Sequence, residues 1–201
     1  MSEFRRYLKR AEWLALIGAL LLVSGCGINN IPSYKQQVDA AWSQVLNEYQ
    51  RRTDLIPNLV ATVKGYATHE ASVLEAVTEA RAKVSQTRIP PDILTNPKAF
   101  QAFEQNQATL SGALSRLMVV TENYPNLKAD QNFLALQAQL EGTENRIAVA
   151  RRDYILAVQQ YDTELATIPG RWYHSAFYGS YQPVQNFTIS EQAQQAPKVS
   201  F

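Results

Sequence analysis

The sequence predicts an all-α fold, an elongated antiparallel bundle of three long helices followed by a short aromatic segment. Apolar residues recur every seven positions in two interleaved series, which is typical of helices packed along a shared seam. Four prolines interrupt this pattern and divide the chain into three long helical stretches. They are Pro90, Pro91, Pro97 and Pro125.

The first predicted helix covers residues 34–86, with an extra proline inside it. Its seam consists of Val38, Trp42, Val45, Tyr49, Ile56, Leu59, Val63, Tyr66, Val73, Val77, Ala80 and Val84. The apolar phase is the same on both sides of Pro57, so we expect a continuous helix that is kinked just before this residue. At ~1.5 Å per residue such a helix is ~80 Å long, and one end should project or bend.

Two further helices follow. Asn96 before Pro97 predicts an N-cap with proline at the first helical position, which opens a second helix over residues 97–122. Gln107 intrudes on its apolar seam. The link at residues 124–127 is short, so the second helix should lie antiparallel to the third, over residues 128–167. Each long helix contains a glycine (Gly65, Gly112 and Gly142), which indicates either simple tolerance or a close helix crossing.

The first 26 residues are predicted to target the chain to a membrane. Four basic residues precede an apolar run of thirteen residues, WLALIGALLLVSG, which is shorter than the roughly 20 residues of a spanning helix. The run ends in a sequence resembling a bacterial lipobox, which predicts lipidation of Cys26. An uncleaved anchor with a chance cysteine is the alternative. Gly27 follows where an aspartate would favour the inner membrane, so outer-membrane sorting is slightly favoured.

The predicted organisation is a signal peptide (1–25), a lipidated N-terminus and tether (26–33), a helical bundle (34–189) and a disordered, Gln- and Ala-rich tail (190–201). The domain should face the periplasm. The leader contains Arg5, Arg6, Lys9 and Arg10 against Glu3 and Glu12, so 15 basic residues face 16 acidic ones in the rest of the chain. That balance gives no reason to expect nucleic-acid binding.

No metal, cofactor or catalytic residue is predicted. A single cysteine excludes an intrachain disulfide and a cysteine metal cluster. The two histidines, His69 and His174, are far apart, and Val73 stands where an HExxH motif needs its second histidine. Glu144 is followed three residues later by Ile147, which excludes the Glu-x-x-His repeat of di-iron bundles.

Two long blocks resemble the signatures of the LemA family. The first is YQRRTDLIPNLVATVKGYATHE followed by EARAKV; the second is YPNLKADQNFLALQAQLEGTENRIAVARRDYILAVQQY, with Ile168-Pro169 after it. Together they span about residues 38–169. The resemblance implies a membrane-tethered helical bundle that faces away from the cytoplasm, although LemA-like proteins more often have a spanning helix at the N-terminus. It also implies an accessory role beside a membrane metalloprotease or a TPM-domain protein.

Charged residues interrupt the apolar seams of the first and third helices. Buried charges must be paired, so we predict a buried polar network of Arg52, Asp54, Glu70, Glu144 and Arg151, with Asn58, Arg81, Asn145 and Arg146 close enough in sequence to contribute. Arg52 and Glu70 lie 18 residues apart on one predicted helix, ~27 Å at helical rise, so the seam charges cannot all share one cluster and one of these two must find another partner. Glu144 should meet Arg52 or, failing that, Arg81. One interpretation is a salt-bridge layer that fixes helix register; the other is a ligand-binding or catalytic pocket.

Aromatic residues dominate residues 169–187. We predict a possible partner surface of Trp172, Tyr173, Phe177 and Tyr181, together with Tyr178 and Phe187. These side chains either cap the open end of the bundle or form a docking surface for a partner or the membrane interface. The predicted function is a non-enzymatic envelope lipoprotein that acts as a scaffold or accessory subunit. A module that senses a small ligand or peptide through the polar seam is the alternative.

Overall fold

The computed structural model describes residues 27–67 and 69–188, and these residues form helices and no strand. In chain order the elements are α1 (Asn30–Tyr66), α2 (Ala71–Gln86), a 3₁₀ turn (Ile93–Thr95), α3 (Pro97–Thr121), α4 (Pro125–Lys128), α5 (Gln131–Ala166) and α6 (Gly170–Phe177). The predicted all-α fold class is therefore confirmed. The predicted signal peptide, Cys26 and the tail from residue 190 lie outside the described residues.

The chain divides into two compact units. One contains the described residues up to Gln37 together with residues 159–183; the other contains residues 38–158 and the described residues from Val184 onwards. The second unit holds the aliphatic core, with members from α1, α2, α3, α4 and α5 such as Leu59, Val77, Leu117, Leu127 and Phe133. Burial of these side chains stabilises this unit by removing apolar area from water.

The prediction for the first helix is confirmed at Pro57 and wrong after Tyr66. α1 passes through Pro57 without a break, as the constant apolar phase predicted. It ends at Tyr66, however, and α2 begins at Ala71. The second helix runs back beside the first, as shown by the hydrogen bond from Arg81 Nε to the carbonyl oxygen of Thr53 at 3.2 Å. The prediction of one helix over residues 34–86, ~80 Å long, is therefore wrong. α1 also begins earlier than predicted, at Asn30.

The reversal is hidden in the sequence because it preserves the seven-residue spacing. Val63 in α1 and Val77 in α2, two seven-residue steps apart on one predicted series, are both fully buried, and Leu59 and Ala80 on the other series are also buried. The same two series thus face the core before and after the turn, although Tyr66, a predicted seam residue at the end of α1, is 43% exposed.

The second and third predicted helices correspond to α3 and α5. The side chain of Asn96 accepts a hydrogen bond from Ala99 N at 3.2 Å and caps α3, as predicted. Asp130 caps α5 in the same way, accepting from Phe133 N at 2.9 Å. α3 and α5 are antiparallel neighbours joined by the short link that contains α4. The grooves between them are lined by Glu104 with Arg151 towards one end and by Met118 with Leu140 towards the other, so the residue numbers rise along one helix as they fall along the other.

Aromatic rings form the core at one end of this second unit. Trp42 of α1 lies 5.2 Å from Phe103, 5.5 Å from Tyr154, 5.7 Å from Phe100 and 6.1 Å from Phe187, measured between ring centroids. Such tilted and edge-on arrangements are favourable beyond the area that they bury. Phe187, predicted as part of an aromatic cap or docking segment, is therefore a core residue.

The three helical glycines do not mark close helix crossings. A Cβ placed on Gly65 or Gly112 would meet no atom within 4 Å, and one on Gly142 would meet only the flexible Arg146 Nη1 at 3.5 Å. The close-crossing alternative is wrong for all three positions. A true close approach occurs at Gly170, where a Cβ would lie 2.1 Å from the carbonyl oxygen of Glu164.

The first unit joins the start of α1 to the end of α5 and to α6. Asn30 Nδ2 donates to Glu164 Oε1 at 3.2 Å, and the Tyr161 hydroxyl donates to the carbonyl oxygen of Gln182 at 3.1 Å. Ile31 and Tyr161 are fully buried within it. These contacts hold α6 and the segment after it against the ends of the two long helices.

Candidate functional site

The polar centre of the second unit is Arg52, a fully buried cation on α1 with 1% exposure. Its Nη1 donates to Ser111 Oγ at 2.7 Å and to Glu144 Oε1 at 2.9 Å. Its Nη2 donates to the side chain of Gln107 at 2.6 Å, and the guanidinium carbon lies 5.0 Å from the centroid of the Tyr49 ring. Arg52 therefore ties α1 to both α3 and α5.

The carboxylate that faces Arg52 is not buried. The side chain of Glu144 is 43% exposed, whereas that of Arg52 is 1% exposed. Solvent screens a pair of this kind more than it screens a fully buried pair. Arg52 Nε is buried and has no hydrogen-bond partner within the described residues. Its other two nitrogens therefore make all the hydrogen bonds that the structure shows for this guanidinium.

A groove of about 600 Å³ opens above Arg52 between α3 and α5. Glu104 and Arg151 line it, and the guanidinium carbon of Arg151 lies 4.3 Å from the centroid of the Phe187 ring. Burial raises the pKa of the Glu104 carboxyl, and the nearby Arg151 partly opposes that shift. Burial also raises the pKa of the Tyr49 hydroxyl, against the opposing charges of Arg151 and Arg52. The groove thus combines two cations, two carboxylates and an aromatic wall.

The LemA family model matches residues 41–201. The chain belongs to the LemA family. It is also similar to two proteins of Paramagnetospirillum magneticum, magnetosome protein MamQ 1 and magnetosome protein MamQ 2. Each is 25% identical over 190 residues, an alignment that covers 87% of this chain and 68% of the relative.

This LemA-family chain brings together only part of the predicted polar network. Arg52 and Glu144 form a pair, and Arg151 lines the same groove but stacks on Phe187. Glu70, next to α2, is far along the chain from this centre and accepts a hydrogen bond from the Tyr124 hydroxyl at 3.0 Å. Asp54 is exposed and accepts from Gln50, so its assignment to a buried network is wrong.

The predicted auxiliary residues make separate contacts. Arg81 donates to the Thr53 carbonyl rather than to Glu144. Arg146 donates to Glu48 at 3.0 Å and to Thr143 at 2.8 Å. Asn58 and Asn145 are exposed. The polar contacts of the LemA bundle are therefore distributed along α1 rather than gathered into one cluster.

The sequence pointed to one further residue at these sites, Gln107, and missed two others, Ser111 and Glu48. Gln107 was recognisable as an intrusion on an apolar seam, although its partner was not. Ser111 and Glu48 gave no signal, because neither lies on a predicted seam position. Glu48 is nonetheless 8% exposed and pairs with Arg146 across α1 and α5.

The predicted partner surface separates into exposed and half-buried residues. Trp172 and Phe177 are exposed, whereas Tyr173 and Tyr181 are half-buried. His174 Nε2 contacts the carbonyl oxygen of Tyr181 at 2.7 Å.

Residues 27–67 and 69–188 contain no group of three His, Cys, Asp or Glu side chains that could hold a metal ion. No helix over these same residues is long and apolar enough to cross a membrane.

Proposed function

We propose that this LemA-family chain is a non-enzymatic, lipid-anchored protein of the bacterial cell envelope that acts as a scaffold or accessory subunit for other envelope proteins. One observation carries the proposal: a basic leader with a short apolar run ends at Cys26, and the LemA match begins shortly after it, at residue 41. Lipid on Cys26 would hold the bundle on the periplasmic side of a membrane, and Gly27 slightly favours the outer membrane.

Two features support a non-enzymatic role. The buried cation Arg52 is used to join three helices, and its partners Glu144, Ser111 and Gln107 are occupied in that task. The two MamQ relatives are named for a cellular structure, the magnetosome, rather than for a reaction. A membrane metalloprotease or a TPM-domain protein is the kind of partner that the family resemblance supports.

The scaffold role is tested by recovering partners from membranes. We would tag the full chain at its C-terminus, solubilise membranes with mild detergent and identify the co-purified proteins by mass spectrometry. The control replaces residues 1–26 with a cleavable signal peptide that lacks the cysteine, so the same domain reaches the periplasm without lipid. Envelope proteins enriched with the native chain over the control support the proposal; identical recoveries contradict it.

The groove above Arg52 favours a second candidate, binding of a small ligand or peptide. Its residues Arg151 and Glu104 are half-buried charges of opposite sign beside the Phe187 ring, an arrangement suited to a ligand with both a carboxylate and an amine. Arg151→Gln would weaken such binding and leave partner recovery unchanged. The matched control is Arg152→Gln, since Arg152 is exposed and pairs with its neighbour Asp153. Equal effects of the two changes on binding would exclude the groove.

A further inference from the structure

The short helix α6 has exposed aromatic side chains directly beside the residue that follows the predicted lipidation site. We propose that α6 lies at the membrane–water interface, with Trp172 and Phe177 inserted among the lipid headgroups. The proposal rests on the lipid anchor at Cys26 and adds to it the protein surface that meets the membrane.

The position of Gly27 carries the proposal. A Cβ placed on Gly27 would lie 3.8 Å from Cε2 of Tyr173 and 3.9 Å from Cγ of Pro169. The backbone of Gly27 has φ of +118°, a conformation that L residues rarely adopt, so glycine suits this close turn. The described chain therefore starts against the first turn of α6, within one compact unit.

Covalent geometry then brings the lipid close to α6. Cys26 is bonded to Gly27, and consecutive Cα atoms across a trans peptide are about 3.8 Å apart. Acyl chains attached to Cys26 enter the bilayer at that residue, since a lipidated cysteine has no spacer. α6 is therefore held at the bilayer surface, and its exposed side must face headgroups, water or a protein.

The exposed residues of α6 are those that favour headgroups. Trp172 is 63% exposed and Phe177 is 67% exposed, and Ile168 just before the helix is 64% exposed. The other Trp and Phe side chains of the described residues are buried, with at most 9% exposure: Trp42, Phe100, Phe103, Phe133 and Phe187. Tryptophan, whose ring is apolar with a polar N–H, concentrates at membrane interfaces, and an exposed phenylalanine or isoleucine beside it adds apolar area that the bilayer can bury.

The charge of α6 also fits a lipid surface. Its sequence GRWYHSAF contains no acidic residue, and Arg171 is exposed at its start. Bacterial membranes contain anionic lipids, which attract basic residues on interfacial helices. A helix that combines exposed tryptophan, phenylalanine and arginine beside a lipid anchor matches the composition of segments that lie in the interface plane.

The test measures how closely Trp172 approaches lipid. The full lipidated chain, with Trp13→Phe throughout so that the leader cannot contribute, would be reconstituted into vesicles of phosphatidylethanolamine and phosphatidylglycerol. Part of the lipid would be brominated near the headgroup end of its chains, where bromine quenches nearby tryptophan. We expect a loss of emission in this protein and none after Trp172→Phe, because the remaining Trp42 is buried in the core.

A matched control separates lipid contact from simple exposure. In the Trp172→Phe protein, Val119→Trp places a tryptophan on α3 at a position that is 70% exposed. We expect acrylamide to quench this tryptophan, which reports simple exposure to water. Compared with this reference, Trp172 should be quenched more by brominated lipid and less by acrylamide.

Three results would overturn the proposal. Quenching of Trp172 by acrylamide but not by brominated lipid would mean that α6 faces water. Protection from both quenchers would mean that a retained leader, a second copy or another protein covers it. Vesicle flotation is measured in parallel: a chain that floats without quenching of Trp172 retains its anchor and loses only this inference, whereas a chain that does not float loses both.

Discussion

Arg81 of α2 donates a hydrogen bond from Nε to the carbonyl oxygen of Thr53 in α1, at 3.2 Å. That carbonyl lies four residues before Pro57, which has no N–H to give it the usual helical hydrogen bond. The guanidinium therefore replaces the donor that the proline removes. The same contact places Arg81 of α2 beside Thr53 of α1 and so defines the register between the two antiparallel helices.

This relationship predicts coupling between Arg81 and Pro57. Arg81→Met should lower the free energy of unfolding by about 1–3 kcal/mol, because it leaves a buried carbonyl without a partner. The same change in a Pro57→Ala background should cost much less, since alanine restores the backbone N–H. Urea unfolding of the four proteins in the cycle measures the difference.

The control for this cycle is Lys83→Met on the same helix. Lys83 is exposed and pairs with the exposed Glu79 one turn earlier, so its replacement should change stability by about 0.5 kcal/mol or less. Additive effects of Arg81→Met and Pro57→Ala would show that the guanidinium does not serve the carbonyl that the proline leaves open.

The sequence predicted which residues are helical better than it predicted the number of helices. The seven-residue pattern located α3, α5 and the passage of α1 through Pro57, because burial of one helix face imposes that spacing. It could not reveal the reversal after Tyr66, because Val63 and Val77 are both buried on the same seven-residue series although the chain turns back between them. Spacing reports which side of a helix is buried and not the direction in which the helix runs.

The pair of Arg52 and Glu144 predicts a moderate stability cost when it is broken. Glu144→Ala should lower the free energy of unfolding by about 1–3 kcal/mol, because the buried Arg52 loses a charged acceptor. The loss is limited, since Arg52 keeps Ser111 and Gln107 as acceptors. The cost stays below the ~3–5 kcal/mol of a fully buried pair, since Glu144 is 43% exposed. Thermal unfolding measures it.

Replacing both partners should recover much of this loss. In the Arg52→Met, Glu144→Ala protein no buried cation is left unpaired, so its melting temperature should exceed that expected from the sum of the two single changes. Glu141→Ala, an exposed position three residues earlier, is the control. A near-wild-type melting temperature for Glu144→Ala, with weakened partner or ligand binding, would instead make this pair part of a binding site.

Part of the polar centre could be predicted from sequence and part could not. Charged residues on apolar seam positions identified Arg52 and Glu144, because a charge there must find a partner. Asp54 was misassigned because nearness in sequence was taken for nearness to the centre, although its side chain points to solvent. Ser111 joins the centre only through the stagger of α1 against α3, which no spacing within one helix reveals.

The cap of α5 predicts a contribution to acid sensitivity. The pKa of the Asp130 carboxyl lies below its usual value of 3.8, because Phe133 N and the Tyr66 hydroxyl donate hydrogen bonds to the charged form. A lowered folded pKa gives stability that is present above pH 3.8 and lost as the pH falls through the folded pKa.

Asp130→Asn separates this charge from the cap itself. Asparagine is an equally good N-cap residue but does not titrate in this range, so the variant should lose less stability than the wild type on acidification. Urea unfolding at a series of pH values measures both profiles. Superimposable acid limbs for the two proteins would contradict the assignment.

Two glycine substitutions should have opposite effects. Gly112→Ala should stabilise the protein by about 0.5–1 kcal/mol, because a Cβ there meets no atom within 4 Å and alanine favours the helix. Gly170→Ala should destabilise it, because the new Cβ would lie 2.1 Å from a backbone oxygen of Glu164. Thermal unfolding of both variants checks the contrast, and a stabilised Gly170→Ala protein would contradict the packing described for α6.

The lipid on Cys26 is the claim on which the proposed location and the membrane contact of α6 both depend. Growing cells with labelled palmitate, purifying the chain and comparing it with Cys26→Ala measures this modification directly. The account predicts label in the wild-type chain, none in the variant, and a mature wild-type chain that begins at residue 26. Equal labelling of the two chains, or an unlabelled wild-type chain that retains its leader, would contradict it.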